Sequence, residues 1–157
     1  MTPLIQILTG FLGSLGFAIL YNIRGKKLVA AALGGFMAWS LFLLLGLFME
    51  SEPARYLIVS MSISLYAEIS ARALKTPTTT FIITSLIPLV PGSSLYYTMA
   101  SAFGGDFEVF LTNAISTLSL ALALAIGVAV MAAGTRMLLR LKLFIVKRNL
   151  LRKSGAK

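Results

Sequence analysis

Two prolines and a glycine-serine run interrupt an otherwise apolar stretch: residues 77–99 read PTTTFIITSLIPLVPGSSLYYTM, with Pro88, Pro91, Gly92, Ser93 and Ser94 at its centre. Proline lacks an N–H and its ring clashes with the preceding turn, and glycine and serine are poor helix-interior residues, so a continuous helix is disfavoured and backbone groups are freed. In lipid such groups are costly, and irregular backbone survives only where it packs against protein or lines a cavity holding water or solute. A half-helix restarting at Gly92–Ser94 aims free N–H groups and the positive end of its dipole outward, which suits an anion such as a carboxylate. Tyr96 and Tyr97 follow, placed to close over such a site or to cap freed carbonyls. The competing reading is a packing kink whose backbone groups are satisfied by nearby Ser and Thr hydroxyls.

Ser60, Ser64, Glu68 and Arg72 recur at four-residue intervals, which lines them up on one helix face as a polar stripe that calls for a polar neighbour. For Glu68 two readings stand side by side. One is a carboxylate facing a cavity and carrying protons; the other is an i,i+4 ion pair with Arg72 that only anchors the helix end. Asn113 shares a face with Ser116 and Thr117 and offers hydrogen bonds either to a solute or to a neighbouring helix.

The chain has neither Cys nor His and only five carboxylates. Thiol chemistry, disulfides and soft-metal sites are thereby excluded, and no metal or cofactor is expected. Ser93 and Ser94 lack a general-base partner, so no catalytic constellation is present and the chain reads as a non-enzyme.

The elements that must position these residues are membrane helices. Of 157 residues 58% are hydrophobic and 12% charged, with mean hydropathy +0.92, which is far too apolar for a soluble domain. Apolar runs at about 3–21, 28–48, 54–73, 78–103 and 107–134 each approach or exceed the ~20 residues that cross a bilayer. The expected fold is all-α, a polytopic bundle of about five spans over residues 1–135, the fourth broken at Pro88, Pro91 and Gly92. The first run has no basic n-region or cleavage site and reads as a retained span. Arg24, Lys26 and Lys27, then Arg72 and Lys75, fall in alternate loops, and eight of the fourteen basic residues follow from Arg136 onward. The intervening loops hold Glu50, Glu52 and Arg55, and Asp106 and Glu108. By the positive-inside rule the N-terminus lies outside and the C-terminus in the cytoplasm. Folding 78–103 back as a re-entrant pair would put the tail outside, so one long broken span is expected.

The net charge of +9 is concentrated in residues 136–157, where basic and apolar residues alternate at helical spacing. That describes an amphipathic cytoplasmic tail lying on membrane lipids, with no call for nucleic acid. Gly10, Gly13, Ser14 and Gly16 in the first span, and Ala30, Ala31, Gly34, Gly35 and Ala38 in the second, allow close helix approach. Trp39, at the middle of its span, is expected to face protein or a cavity.

Residues 67–99 as a whole, with Glu68, Ala71-Arg72, Pro77, the Pro88-Leu89-Val90-Pro91-Gly92 break and then Tyr96, resemble the signature of the threonine/serine exporter family, in its small five-span subunit type. GFAILYN at residues 16–22 adds weaker support. The resemblance implies a proton-driven exporter of small hydroxy amino acids in the inner membrane of a bacterial-type cell, although some relatives are associated with dicarboxylate efflux. It further implies a larger partner subunit with its own five spans and a cytosolic N-terminal region, for which this N-out chain is the inverted counterpart. On this reading the small carboxylate substrate is held by Pro88, Pro91, Gly92, Ser93, Ser94, Tyr96 and Asn113, with Glu68 and Arg72 in proton coupling or an ion pair. The alternatives are a non-transporting scaffold that stabilises a partner, and a channel formed by homo-oligomerisation, although no carbonyl filter or acidic ring is visible.

Overall fold

The computed structural model describes residues 2–154, with side chains as far as residue 137. The described residues form α1 (Pro3–Leu20), α2 (Lys26–Gly46), α3 (Glu52–Ala73), α4 (Thr78–Leu86), a 3₁₀ turn at Ile87–Leu89, α5 (Gly92–Gly104) and α6 (Phe107–Ser154). Their ends follow local chemistry. α1 and α3 each carry a proline in the first turn, where the missing N–H would have had no partner. α1 stops at Asn22, whose φ of 56° is the left-handed conformation that asparagine tolerates. Gly105 takes φ 78° to close α5. Asp106 then starts α6, its Oδ1 accepting the Val109 N–H at 3.1 Å.

α1 and α2 meet along their small residues, with Gly10 and Ser14 against Gly35 and Ala18 sharing a cluster with Ala31. α4 lies against α2 and α3, and α6 packs along α3. Two apolar clusters fill the interior. One joins Phe42, Tyr56, Val59, Ile63, Leu89 and Leu120; the other joins Ala18, Ala31, Ala67, Ala71 and Phe81. Arg55 closes the first, its guanidinium 4.9 Å from the centre of the Phe42 ring.

α3 and α6 run parallel. Leu120 and Ala123 share a cluster with Tyr56 and Val59, and further along both helices Gly127 lies against Leu57 and Ser60. The segment joining them must therefore traverse the bundle once, since a re-entrant pair would return α6 antiparallel to α3. The bend of 58° between the two halves of that segment changes its direction without reversing it. The loops bearing Arg24 to Lys27 and Arg72 to Lys75 consequently share one end of the bundle with Arg136, and the acidic loops share the other.

α1, α2 and residues 107–137 of α6 are long and apolar enough to cross a membrane, and the bent pair counts as a fourth span. α3 has 22 residues but fails the same test of composition. Ser60, Ser62, Ser64, Ser70, Glu68 and two arginines dilute it, and it packs between α2, α4 and α6. The helical backbone of α6 continues past Gly134 without interruption. The amphipathic face expected of the tail depends on side chains outside the described residues.

Candidate functional site

The break is built by three residues in sequence. Pro88 lies inside the 3₁₀ turn, Val90 is extended at φ −59° and ψ 123°, and Pro91 takes φ −75° and ψ 61°. Those last angles are an inverse γ-turn, closed by the Gly92 N–H donating to the Val90 carbonyl at 2.7 Å. Leu95 N–H donates to the Pro91 carbonyl at 3.0 Å, whereas the N–H groups of Ser93 and Ser94 meet no acceptor among the described residues. From Thr78 to Leu89 the chain advances about 18 Å at ~1.5 Å per residue, a little over half of a hydrocarbon layer ~30 Å thick. The free N–H pair is thus at mid-depth of the bundle.

α5 buries no residue and packs on α6 alone. Thr98 and Thr117 hydroxyls lie 3.0 Å apart, and the Asn113 amide donates to Ser101 Oγ at 3.4 Å. Asn113 thus faces α5 and knits the two helices together. Gly92, Ser93, Tyr96 and Tyr97 lie on the open side, the two tyrosine rings edge to face at 5.6 Å and more than 60% exposed.

Glu68 sits at the basic end and bridges elements. Its Oε1 accepts from Arg72 Nη2 at 2.7 Å and Nε at 3.1 Å, while Oε2 accepts from Thr78 Oγ1 at 3.0 Å. The carboxylate therefore ties the end of α3 to the first residue of α4. It is one-fifth exposed, and Arg72 is half exposed. Among the described residues the serine stripe above it finds no polar side chain to bond on another helix. Ser60 and Ser64 hydroxyls donate to the Leu57 and Ser60 carbonyls of their own helix, and Gly127 packs directly on Ser60.

On the far side of the break a recess of about 170 Å³ opens between α1, α2 and the 3₁₀ turn, walled by Gln6, Thr9, Gly10, Gly13, Trp39 and Pro88. Trp39 stacks obliquely on Phe42 at 5.4 Å, and its indole N–H is buried without a partner. Of these wall residues the sequence pointed to Pro88 as a site residue, and to Trp39 only as facing protein or a cavity. A signal for the rest was there to be read, since Gln6 is an amide inside an apolar helix. Pro91, Gly92, Ser93 and Ser94 follow Pro88 in the chain, while Glu68 and Arg72 stand apart at the basic end.

Compared with known proteins, the chain matches the model of one family, described as threonine/serine exporter, ThrE, over residues 6–133. No curated protein and no solved structure matches it.

Proposed function

Because the chain belongs to the threonine/serine exporter family, we propose that it is one half of a secondary exporter of small amino acids, working with a larger partner chain. The observation that carries this reading is the pair of free N–H groups at Ser93 and Ser94, held at mid-depth on a half-helix with no buried residue. In hydrocarbon they demand an acceptor, and a substrate carboxylate arriving at a helix N-terminus supplies one. Pro88 and Pro91 create the geometry, and Tyr96, exposed on the open side of α5, is the proposed cover. Asn113 contributes by holding α5 in place.

Five spans, with α3 as the third, are proposed from its central packing. The basic end faces the cytoplasm of a bacterial-type inner membrane and the N-terminus faces out. Glu68 is the proposed proton carrier: a proton taken up there releases Arg72 and Thr78 and unties the end of α3 from the first residue of α4. The gradient thereby acts on the element that binds substrate.

The test is efflux from proteoliposomes loaded with labelled serine, threonine or succinate under an imposed pH gradient, with this chain alone and with its larger partner. Substrate-selective efflux that needs both chains is the expected result. No efflux of any cargo from a verified, correctly oriented complex would overturn the proposal in favour of a scaffold that stabilises its partner.

A further inference from the structure

We propose that a second recess, at the basic end of the bundle between the end of α1 and the first turns of α4, seats the phosphate headgroup of an anionic phospholipid. The inference stands on the membrane fold and holds whatever the chain transports. The recess has a volume of about 240 Å³ and is walled by Tyr21, Ile23, Thr79, Thr80 and Ile83. That is room for roughly eight water-sized groups at ~30 Å³ each, the scale of a phosphate with its glycerol.

The walls grade from polar to apolar with depth. Thr79 and Thr80 belong to the first turn of α4, and Ile83 lies about one turn, ~5.4 Å, further in. Tyr21 closes α1 at the same end, and an amphipathic ring suits the headgroup level of a bilayer. Tyr21 and Ile83 are each about half exposed, so the recess opens on the outside of the bundle. Its hydroxyls are uncommitted. The neighbouring Thr76 and Thr78 donate to the Leu74 carbonyl and to Glu68, whereas the hydroxyls of Tyr21, Thr79 and Thr80 meet no partner among the described residues.

The charge around the mouth selects an anion. Asn22, between the wall residues Tyr21 and Ile23, accepts from Arg24 Nε at 2.9 Å, which holds that guanidinium beside the recess with its terminal nitrogens unbonded among the described residues. Lys26 and Lys27 follow in the same loop, and Lys75 comes shortly before Thr79. Glu68, the one carboxylate at this end, is already paired with Arg72, and no other ion pair occurs among the described residues. These cations therefore lack a countercharge, and phosphate is the anion that a bilayer supplies at this level. A guanidinium takes phosphate bidentately, and hydroxyls donate to its remaining oxygens. A soluble anion would satisfy the same groups but would leave Ile23 and Ile83 uncovered, and burying them is the added gain from a lipid.

The experiment titrates the full chain in neutral detergent with phosphatidylglycerol or with phosphatidylcholine of the same acyl chains, and counts bound lipids by native mass spectrometry. The first phosphatidylglycerol is expected to bind about fivefold more tightly than phosphatidylcholine, or better. Arg24→Gln should weaken that first event about fivefold, the effect of one cation near an anionic surface. Arg24 is exposed and its listed bond is to a neighbour in the same loop, so this change leaves the fold intact. Thr79→Val with Thr80→Val should weaken it further, and Lys147→Gln with Arg148→Gln in the tail should leave it unchanged. Equal affinity for the two lipids overturns the proposal, as does a first phosphatidylglycerol that responds to the tail variant and not to Arg24→Gln. Displacement by millimolar inorganic phosphate would make the ligand a soluble anion. Loss of the Arg24-sensitive event in a complex with the larger chain would make the recess a protein interface. Either result also overturns the proposal.

Discussion

The seam between Gly34 of α2 and Ser85 of α4 holds the broken helix against the bundle, and it leaves no room for a methyl group. A Cβ added at Gly34 would lie 2.7 Å from Ser85 Cβ and 3.1 Å from Tyr66 Cε1, with Ser85 Oγ nearer still. Tyr66 has little freedom to retreat, since its hydroxyl donates to the Ala30 carbonyl at 2.7 Å. Overpacking of this kind costs about 1–3 kcal/mol. Alanine regains about 0.5–1 kcal/mol of helix preference over glycine, so Gly34→Ala is expected to destabilise the chain by a net ~0.5–2 kcal/mol. Ser85 offers the matching half of a swap. Its hydroxyl is fully buried and unpartnered, so Ser85→Gly removes both the obstructing atoms and an unsatisfied polar group. In the double variant the methyl group has moved across the interface, and the coupling between the two changes should be favourable by about 1–3 kcal/mol. Unfolding in mixed micelles of rising SDS fraction, followed by Trp39 emission, measures all four members of the cycle. Gly34→Ala as stable as the parent, or two costs that simply add, would refute the close approach.

Three further outcomes follow from the same contacts. Gly127→Ala should destabilise by about 1–3 kcal/mol and resist rescue by Ser60→Gly, because its Cβ also meets the immovable Leu57 carbonyl at 2.7 Å; rescue in the same micelle assay would contradict this. Glu68→Gln should abolish gradient-driven efflux while the two chains still co-purify, since a half-exposed ion pair contributes only about 0.2–1 kcal/mol to stability; unchanged efflux would remove Glu68 from the coupling step. Gly92→Ala should leave the unfolding midpoint within ~0.5 kcal/mol of the parent, because its φ is ordinary and its Cβ meets nothing within 4 Å; a large loss would mean that the break requires glycine itself.

Local chemistry made the break and the Glu68–Arg72 pair legible. Two prolines three residues apart forbid a regular helix whatever surrounds them, and an i,i+4 pair needs only its own helix. Contacts between distant segments were not legible. Gln6 and Pro88 are far apart in the chain and line one recess because α1 packs on the 3₁₀ turn as well as on α2. The serine stripe of α3 misled for a different reason. A serine in a helix can satisfy itself on the carbonyl three or four residues earlier, so a polar periodicity does not have to be answered by a polar partner helix. The low hydropathy of α3 has the same origin: hydroxyls satisfied within the helix weigh against it on a hydropathy scale yet pack against Gly127 as small residues.

The two ends of the broken helix differ in what holds them, and the difference bears on how a transporter would use it. α4 is clamped by α2 and α3, with Phe81, Thr84 and Ser85 fully buried, as is Leu89 in the turn that follows, and is tied to Glu68 at its first residue. α5 is held by α6 alone, through Thr98–Thr117 and Ser101–Asn113. Hydrogen bonds between membrane helices are worth on average about 0.6 kcal/mol and at most about 1.7, so α5 is the half that moves at least cost, and Val90–Pro91, between Leu89 and Gly92, is where the two halves part. A Thr117→Val change that removes one of these bonds should therefore alter transport rate with little effect on the unfolding midpoint of the bundle. Large destabilisation of the whole chain by that single change would mean that α5 and α6 are integral to the core, and the hinge would have to be sought elsewhere.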